Sequence, residues 1–140
     1  MKKPIYTCLW FDNLAKEAAS FYCSVFENSA ITTGTEYVVL FNLNGKQYMG
    51  LNGGSKYKLS PAVSLVVECD SQQEIDYYWE KLTNGGREDA CGWLTDKFGL
   101  SWQIVPSIIG ELMSDPENAP RVMNEILQMK KINLERLLKA

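Results

Sequence analysis

The sequence predicts an α+β protein: two tandem βαβββ modules forming a curved mixed sheet around a cavity, followed by a C-terminal helical extension. Three observations carry this reading. Apolar residues switch between a period of two, as in strands, and steps of three and four, as in helices, in the same order twice. Asp12 and Asp70 close equivalent strands, and Trp79 follows Asp70 at the spacing at which Phe21 follows Asp12. Asn44-Gly45 and Asp96 to Gly99 mark equivalent hairpins. One such module buries a single sheet face, so two must combine to close a core.

The elements follow in order. Ile5 to Phe11 (IYTCLWF) is β-branched and aromatic and reads as a strand ending at Asp12. Over residues 13–26, Leu14, Ala18, Phe21, Tyr22 and Val25 recur at helical steps and bury one stripe. Ala30 to Thr33 reads as a short strand and Tyr37 to Leu43 as a stronger one. Asn44-Gly45 suits positive φ at both turn positions, and Lys46 to Leu51 returns antiparallel. Lys56 to Pro61 is a linker. Ala62 to Cys69 is the next strand, and Ser71 to Leu82 a helix with Ser71 and Glu74 in capping-box spacing. Asn84-Gly85-Gly86 ends it through a left-handed glycine. Glu88 to Cys91, Gly92 to Thr95 and Leu100 to Val105 are the remaining strands. Gly110 to Ala140 is expected to be helical in two pieces around Pro116 and Pro120, the second running from Arg121 to Lys139 with Val122, Ile126, Met129, Leu134 and Leu137 inward.

A chain of 140 residues is long enough for one domain with its own core, 1–140, with module one at about 1–55, module two at about 61–107 and the tail at 108–140. Its 46% hydrophobic and 22% charged content is that of a soluble globular protein and excludes disordered and fibrous classes. The net charge of −3, without a basic run longer than two residues, argues against nucleic acid and anionic membrane as partners. There is no histidine, which removes imidazole bases, His-ligated metals and Ser-His triads. The N-terminus lacks the apolar run of a signal peptide, and no stretch reaches membrane-span length. Cys8, Cys23, Cys69 and Cys91 form no Cys-x-x-Cys pair, so the expectation is free thiols in a reducing cytoplasm.

LWFDN (9–13), SFYCSVF (20–26), GKQYMGLNGG (45–54), PAVSLVVECDS (61–71), CGWLTDKFGLSWQIVPS (91–107) and VMNEILQMKK (122–131) together resemble the vicinal oxygen chelate superfamily. That superfamily includes glyoxalase, bleomycin resistance proteins, fosfomycin-resistance enzymes and extradiol dioxygenases. The similarity is to its PhnB-like branch, often labelled demethylubiquinone methyltransferase. The resemblance implies a homodimer and a metal centre whose four ligand positions fall here on Ile5, Met49, Val63 and Gln103. Two aliphatics, a thioether and an amide do not make a divalent-cation site, so neither metal nor other cofactor is expected. No glycine-rich loop follows a strand, as a nucleotide-type cofactor would require.

Strand alternation puts Ser101, Gln103 and Val105 on one face and Trp102 and Ile104 on the other. With the tryptophan face against the helices, Gln103 faces the cavity, where its amide either recognises a ligand or joins a water or side-chain network. The same phase assigns Ile5, Thr7, Leu9, Met49, Leu51, Val63 and Leu65 to that cavity, with Trp93 at its mouth: a small-molecule site, or a barrel filled by its own side chains. Thr7, Leu9, Met49, Leu65, Trp93 and Gln103 are the candidate ligand contacts. Cys91 reads as a nucleophile or a structural thiol, and Asn52-Gly53-Gly54 as an anion cradle or a loop needing flexible φ. The functional expectation is small-molecule binding without a catalytic metal. The alternative is a lyase or transferase acting on a small organic substrate in the same cavity.

Overall fold

A computed structural model describes residues 3–140. The chain forms two compact units, the first ending at Leu59 and the second running Ser60–Ala140. The division falls in the stretch read as a linker.

The first unit contains β1 (Thr7–Phe11), α1 (Ala15–Val25), β2 (Ala30–Gly34), β3 (Val38–Leu43) and β4 (Lys46–Asn52). Its sheet has the order β1-β4-β3-β2, with β1 parallel to β4 and the other pairs antiparallel. Ala15, Ala18, Ala19, Tyr22 and Val25 of α1 are buried, as are Leu9, Phe11, Val39, Phe41 and Tyr48 on one sheet face. Small side chains bring the helix close: a Cβ on Gly50 would lie 3.1 Å from that of Ala15. No side chain of its own caps α1. Instead the Ala15 N–H donates to Asn52 Oδ1 at the end of β4, at 2.9 Å. Asn44 and Gly45 both take positive φ, as the hairpin reading requires. Strand β1 begins at Thr7 rather than Ile5, because Thr7 is the first residue with a partner on β4; Ile5 is 99% exposed.

The second unit contains β5 (Ser64–Cys69), α2 (Gln72–Thr83), β6 (Arg87–Glu88), β7 (Trp93–Thr95), β8 (Ser101–Pro106), α3 (Ile109–Ser114), α4 (Ala119–Ile126) and α5 (Leu134–Leu138). The sheet order β5-β8-β7-β6, with β5 parallel to β8, repeats the first unit strand for strand. This is the duplication expected from the sequence. Ile75, Trp79 and Leu82 of α2 and Leu94, Trp102 and Ile104 of the sheet form its buried core. Ser71 Oγ accepts from the Glu74 N–H, while the Glu74 carboxylate accepts from the Asp70 N–H, one residue earlier than a capping box places it.

The turn between β7 and β8 is organised by Asp96, only 3% exposed. Its Oδ1 accepts from the N–H groups of Phe98 (2.8 Å) and Leu100 (3.1 Å), and its Oδ2 from the Trp102 indole N–H (2.8 Å). Gly86 lies against this turn so closely that a Cβ there would sit 2.2 Å from the Thr95 carbonyl oxygen.

Two elements depart from the sequence reading. The strand expected over Glu88 to Cys91 is Arg87–Glu88 only. Cys91 and Gly92 take positive φ and donate their N–H groups to the carbonyls of Met129 and Lys130 instead of to a neighbouring strand, although the Gly92 carbonyl still accepts from Ile104 of β8. The tail forms three helices, not two pieces. Pro120 sits in the first turn of α4, where its missing N–H is harmless. The chain then leaves the helix after Ile126, because its carbonyls serve other partners. Those of Met129 and Lys130 accept from Cys91 and Gly92, and that of Ile132 accepts from the Gln72 side chain. Val122, Ile126, Met129, Ile132 and Leu137 form the tail's core, with Ile132 in the buried place expected of Leu134.

Asp96→Ala removes a charged acceptor from three donors and leaves a buried indole N–H unpaired. It should therefore destabilise the protein by about 3 kcal/mol in chemical denaturation. Asp96→Asn keeps one acceptor oxygen and should lose less. Parent-like stability for Asp96→Ala would show that the carboxylate does not hold the turn.

Candidate functional site

Residues paired in register across neighbouring strands share a sheet face. In the second sheet this aligns two rows on the face opposite Trp102 and Ile104. One is Arg87–Thr95–Ser101–Ser64, reaching across all four strands. The other is Trp93–Gln103–Val66. Gln103 Nε2 donates to Ser64 Oγ at 3.0 Å. Arg87 donates from Nε to Asp89 Oδ1 (2.7 Å) and from Nη2 to Thr95 Oγ1 (3.0 Å), and Thr95 donates to Asp89 Oδ2 (2.8 Å). Partial burial pushes the Asp89 carboxyl upward. The bonds from Arg87 and Thr95 and the charges of Arg87 and Lys130 outweigh it, so the group lies below the usual aspartate range. Ser101 Oγ is buried with no hydrogen-bond partner among the described residues. Val66 on the edge strand is 56% exposed, and Ser64, Thr95, Trp93 and Gln103 are half-buried, so the face is partly open around the buried Ser101.

In the first sheet, Met49 lies in register between Cys8 and Leu40, on the face away from α1. Trp10 shares this face. Its indole N–H donates to the Gly54 carbonyl (2.8 Å), and Tyr57 meets the ring edge-on at 4.9 Å. A Cβ on Gly53 would lie 2.3 Å from the indole, so that glycine is needed for close approach, not for an anion cradle.

Of the six candidate ligand contacts, Trp93 and Gln103 are direct neighbours on the helix-free face of the second sheet and Met49 lies on the helix-free face of the first. Thr7, Leu9 and Leu65 do not follow. Thr7 is in register with buried Tyr48, Leu9 is buried opposite Gly50, and Leu65 is in register with buried Trp102, so all three lie on helix-covered faces. Arg87, Asp89, Ser64, Thr95 and Ser101 were missed as a group. The available signal was alternation: Thr95 and Ser101 lie two residues from Trp93 and Gln103.

The positions where the superfamily places metal ligands do not fit a divalent cation. Ile5 is outside any strand, Val63 is aliphatic and 59% exposed, Met49 offers a thioether and Gln103 one neutral amide. Among the described residues no three Cys, Asp or Glu side chains gather as a metal site. Three of the thiols are shifted away from the reactive thiolate. Burial, then Glu74 and Asp70, push Cys69 up to about 12, and burial raises Cys8 and Cys23. A groove of about 510 Å³ lies among the tail helices, lined by Leu112, Asp115, Asn118 and Leu138 among others. It includes none of the residues singled out from the sequence.

Residues 3–105 match the family model described as 3-demethylubiquinone-9 3-methyltransferase. The chain belongs to this family. A PhnB protein from Bacillus cereus is 33% identical, with 74% of this chain and 99% of that one covered and a TM-score of 0.66. The family is the PhnB-like branch of the vicinal oxygen chelate superfamily, and more distant structures share the fold. A Pseudomonas aeruginosa protein is 17% identical, with 75% and 98% covered and a TM-score of 0.62. The fosfomycin resistance protein of Listeria monocytogenes, solved with Mn(II) and sulfate, is 14% identical, with 81% and 97% covered and a TM-score of 0.60. No curated protein sequence matches the chain. Among the described residues, no helix is long and apolar enough to cross a membrane.

Because Asp89 has a lower pKa folded than unfolded, it stabilises the fold above the unfolded value near pH 4 and loses this as pH falls through the folded value. The pair with Arg87 is largely exposed, so the contribution should be under about 1 kcal/mol. Asp89→Asn should thus melt slightly below the parent at neutral pH and coincide with it near about pH 2. A difference that persists or grows in acid contradicts this.

Proposed function

We propose that this PhnB-like protein binds a small organic molecule on the open face of the second sheet, without a catalytic divalent metal, as a cytoplasmic homodimer. One observation carries the reading. Where metal-binding members of the superfamily place a ligand, this chain has Gln103, in register with Trp93 and bonded to Ser64. An aromatic surface beside an oriented amide and hydroxyls is the usual composition of a small-molecule site, and it is poor in metal ligands. Met49 belongs to the same reading only as part of the first sheet's open face.

The dimer is supported by apolar side chains left in water: Tyr37 and Tyr57 in the first unit, Val63 and Leu127 in the second. Four free cysteines suit a reducing compartment. Methyl transfer is not extended to this chain from the family's description. Strands β1 and β5 enter their helices through Asp12-Asn13-Leu14 and Asp70-Ser71, without the glycine-rich turn of a dinucleotide-type cofactor site.

Native mass spectrometry of protein taken from its own cells should show a co-purified small molecule, and Trp93→Ala or Gln103→Leu should weaken its binding about tenfold or more. Light scattering should give twice the 15.9 kDa chain mass at micromolar concentration. Zinc, nickel, manganese and magnesium should leave the melting temperature unchanged, since only binding to the folded state raises it. Stoichiometric metal lost together with binding in Gln103→Leu would overturn the metal-free reading.

A further inference from the structure

We propose that the open face of the second sheet selects neutral, hydroxyl-rich ligands with one apolar ring face, as in a monosaccharide, over organic anions. The inference rests on the reading that this face is the binding site, and it concerns what the face prefers.

The charges decide against an anion. Arg87 is the one guanidinium on this face, and it already spans Asp89 and Thr95. Asp89 neutralises it. Glu68, in register with Val105, adds a second carboxylate to the same face, and Lys130 near Asp89 offsets it. The face therefore carries no net positive charge to repay the desolvation of a phosphate or carboxylate, and either would meet Asp89 and the Gln103 amide oxygen.

The uncommitted polar groups decide for hydroxyls. Gln103 Oε1 accepts no hydrogen bond among the described residues, and the Ser64 hydroxyl accepts from Gln103 without donating. Ser101 Oγ stands between Thr95 and Ser64 in the row, buried and without a partner. A buried hydroxyl without a partner is a rare and costly feature of a folded protein, and a bound oxygen is its ordinary remedy. The row offers donors and acceptors side by side. An acceptor-only anion satisfies half of it; a hydroxyl, which both donates and accepts, satisfies all of it. Trp93, next to Gln103 in the neighbouring row, supplies the flat apolar surface on which the C–H face of a sugar ring rests.

The test is a chemical-shift titration of the whole chain with two pairs of probes at constant ionic strength. Methyl α-glucoside and myo-inositol are the neutral pair; glucose 6-phosphate and inorganic phosphate are the anionic pair. The neutral probes should move the amide signals of Trp93, Thr95, Ser101 and Gln103, with the anions at least about fivefold weaker at the same positions. Ser101→Ala, which removes a hydroxyl that bonds to nothing, should melt at or above the parent temperature yet bind the neutral probes several-fold more weakly. Tighter binding of the anions on these residues overturns the selectivity and leaves the binding reading standing. Signals unmoved by any of the four probes, with binding of the co-purified molecule unaffected by Trp93→Ala, overturn both. A Ser101→Ala variant that is less stable than the parent and binds unchanged shows that the hydroxyl is structural and also overturns the inference.

Discussion

The hydrogen bonds of the Asp96 carboxylate are the constraint on which the second unit depends. A buried charge is tolerated only where donors surround it, and here two backbone N–H groups and one indole supply them. The same three bonds do three things. They shape the β7–β8 turn, seat Trp102 in the core beneath α2, and so set which face of β8 looks outward. Gln103 and Ser101 point away from the helix because Trp102 between them is buried on the helix side and held there by Asp96. The site is thus a consequence of the core: the side chain that fixes the inward residue also fixes its neighbours.

Much of the fold is legible in the sequence, for local reasons. Asn44-Gly45 announces its turn because few other pairs accept positive φ twice, and Ser71 announces a helix start because its hydroxyl answers an N–H three residues on. What stays hidden depends on partners distant in the chain. Strand β1, TCLWF, is apolar on both faces, so alternation alone does not say whether Leu9 or Trp10 turns inward. The register with β4 decides it, because Gly50 opposite Leu9 leaves the room that α1 needs. The tail's helical periodicity runs unbroken through Met129, yet the backbone there is drawn off by Cys91 and Gly92.

The candidate site was legible only in part for the same reason. Gln103 stands out as an amide in a largely apolar strand, and Trp93 as a large aromatic in a short one. The row of hydroxyls does not, because Ser64, Thr95 and Ser101 lie on three strands and each alone is unremarkable. Only strand pairing lines them up. Membership of the PhnB-like family indicates where to look, and the positions where its superfamily places metal ligands are Ile5, Met49, Val63 and Gln103 in this chain.

The bond that opens helix α1 also bears on how the first unit is made. The Ala15 N–H waits for an acceptor 37 residues further along, on Asn52, and β1 waits for its parallel partner on the same strand. Helix α1 and the β3–β4 hairpin are local and form quickly, whereas the edge of β1 and the start of α1 are completed together by the last strand. On the ribosome, at about 5–20 residues per second, the first unit therefore spends seconds with β1 unpaired, and closes in one step when Asn52 becomes free to move. Order of synthesis and order of assembly are tied together by one side-chain amide.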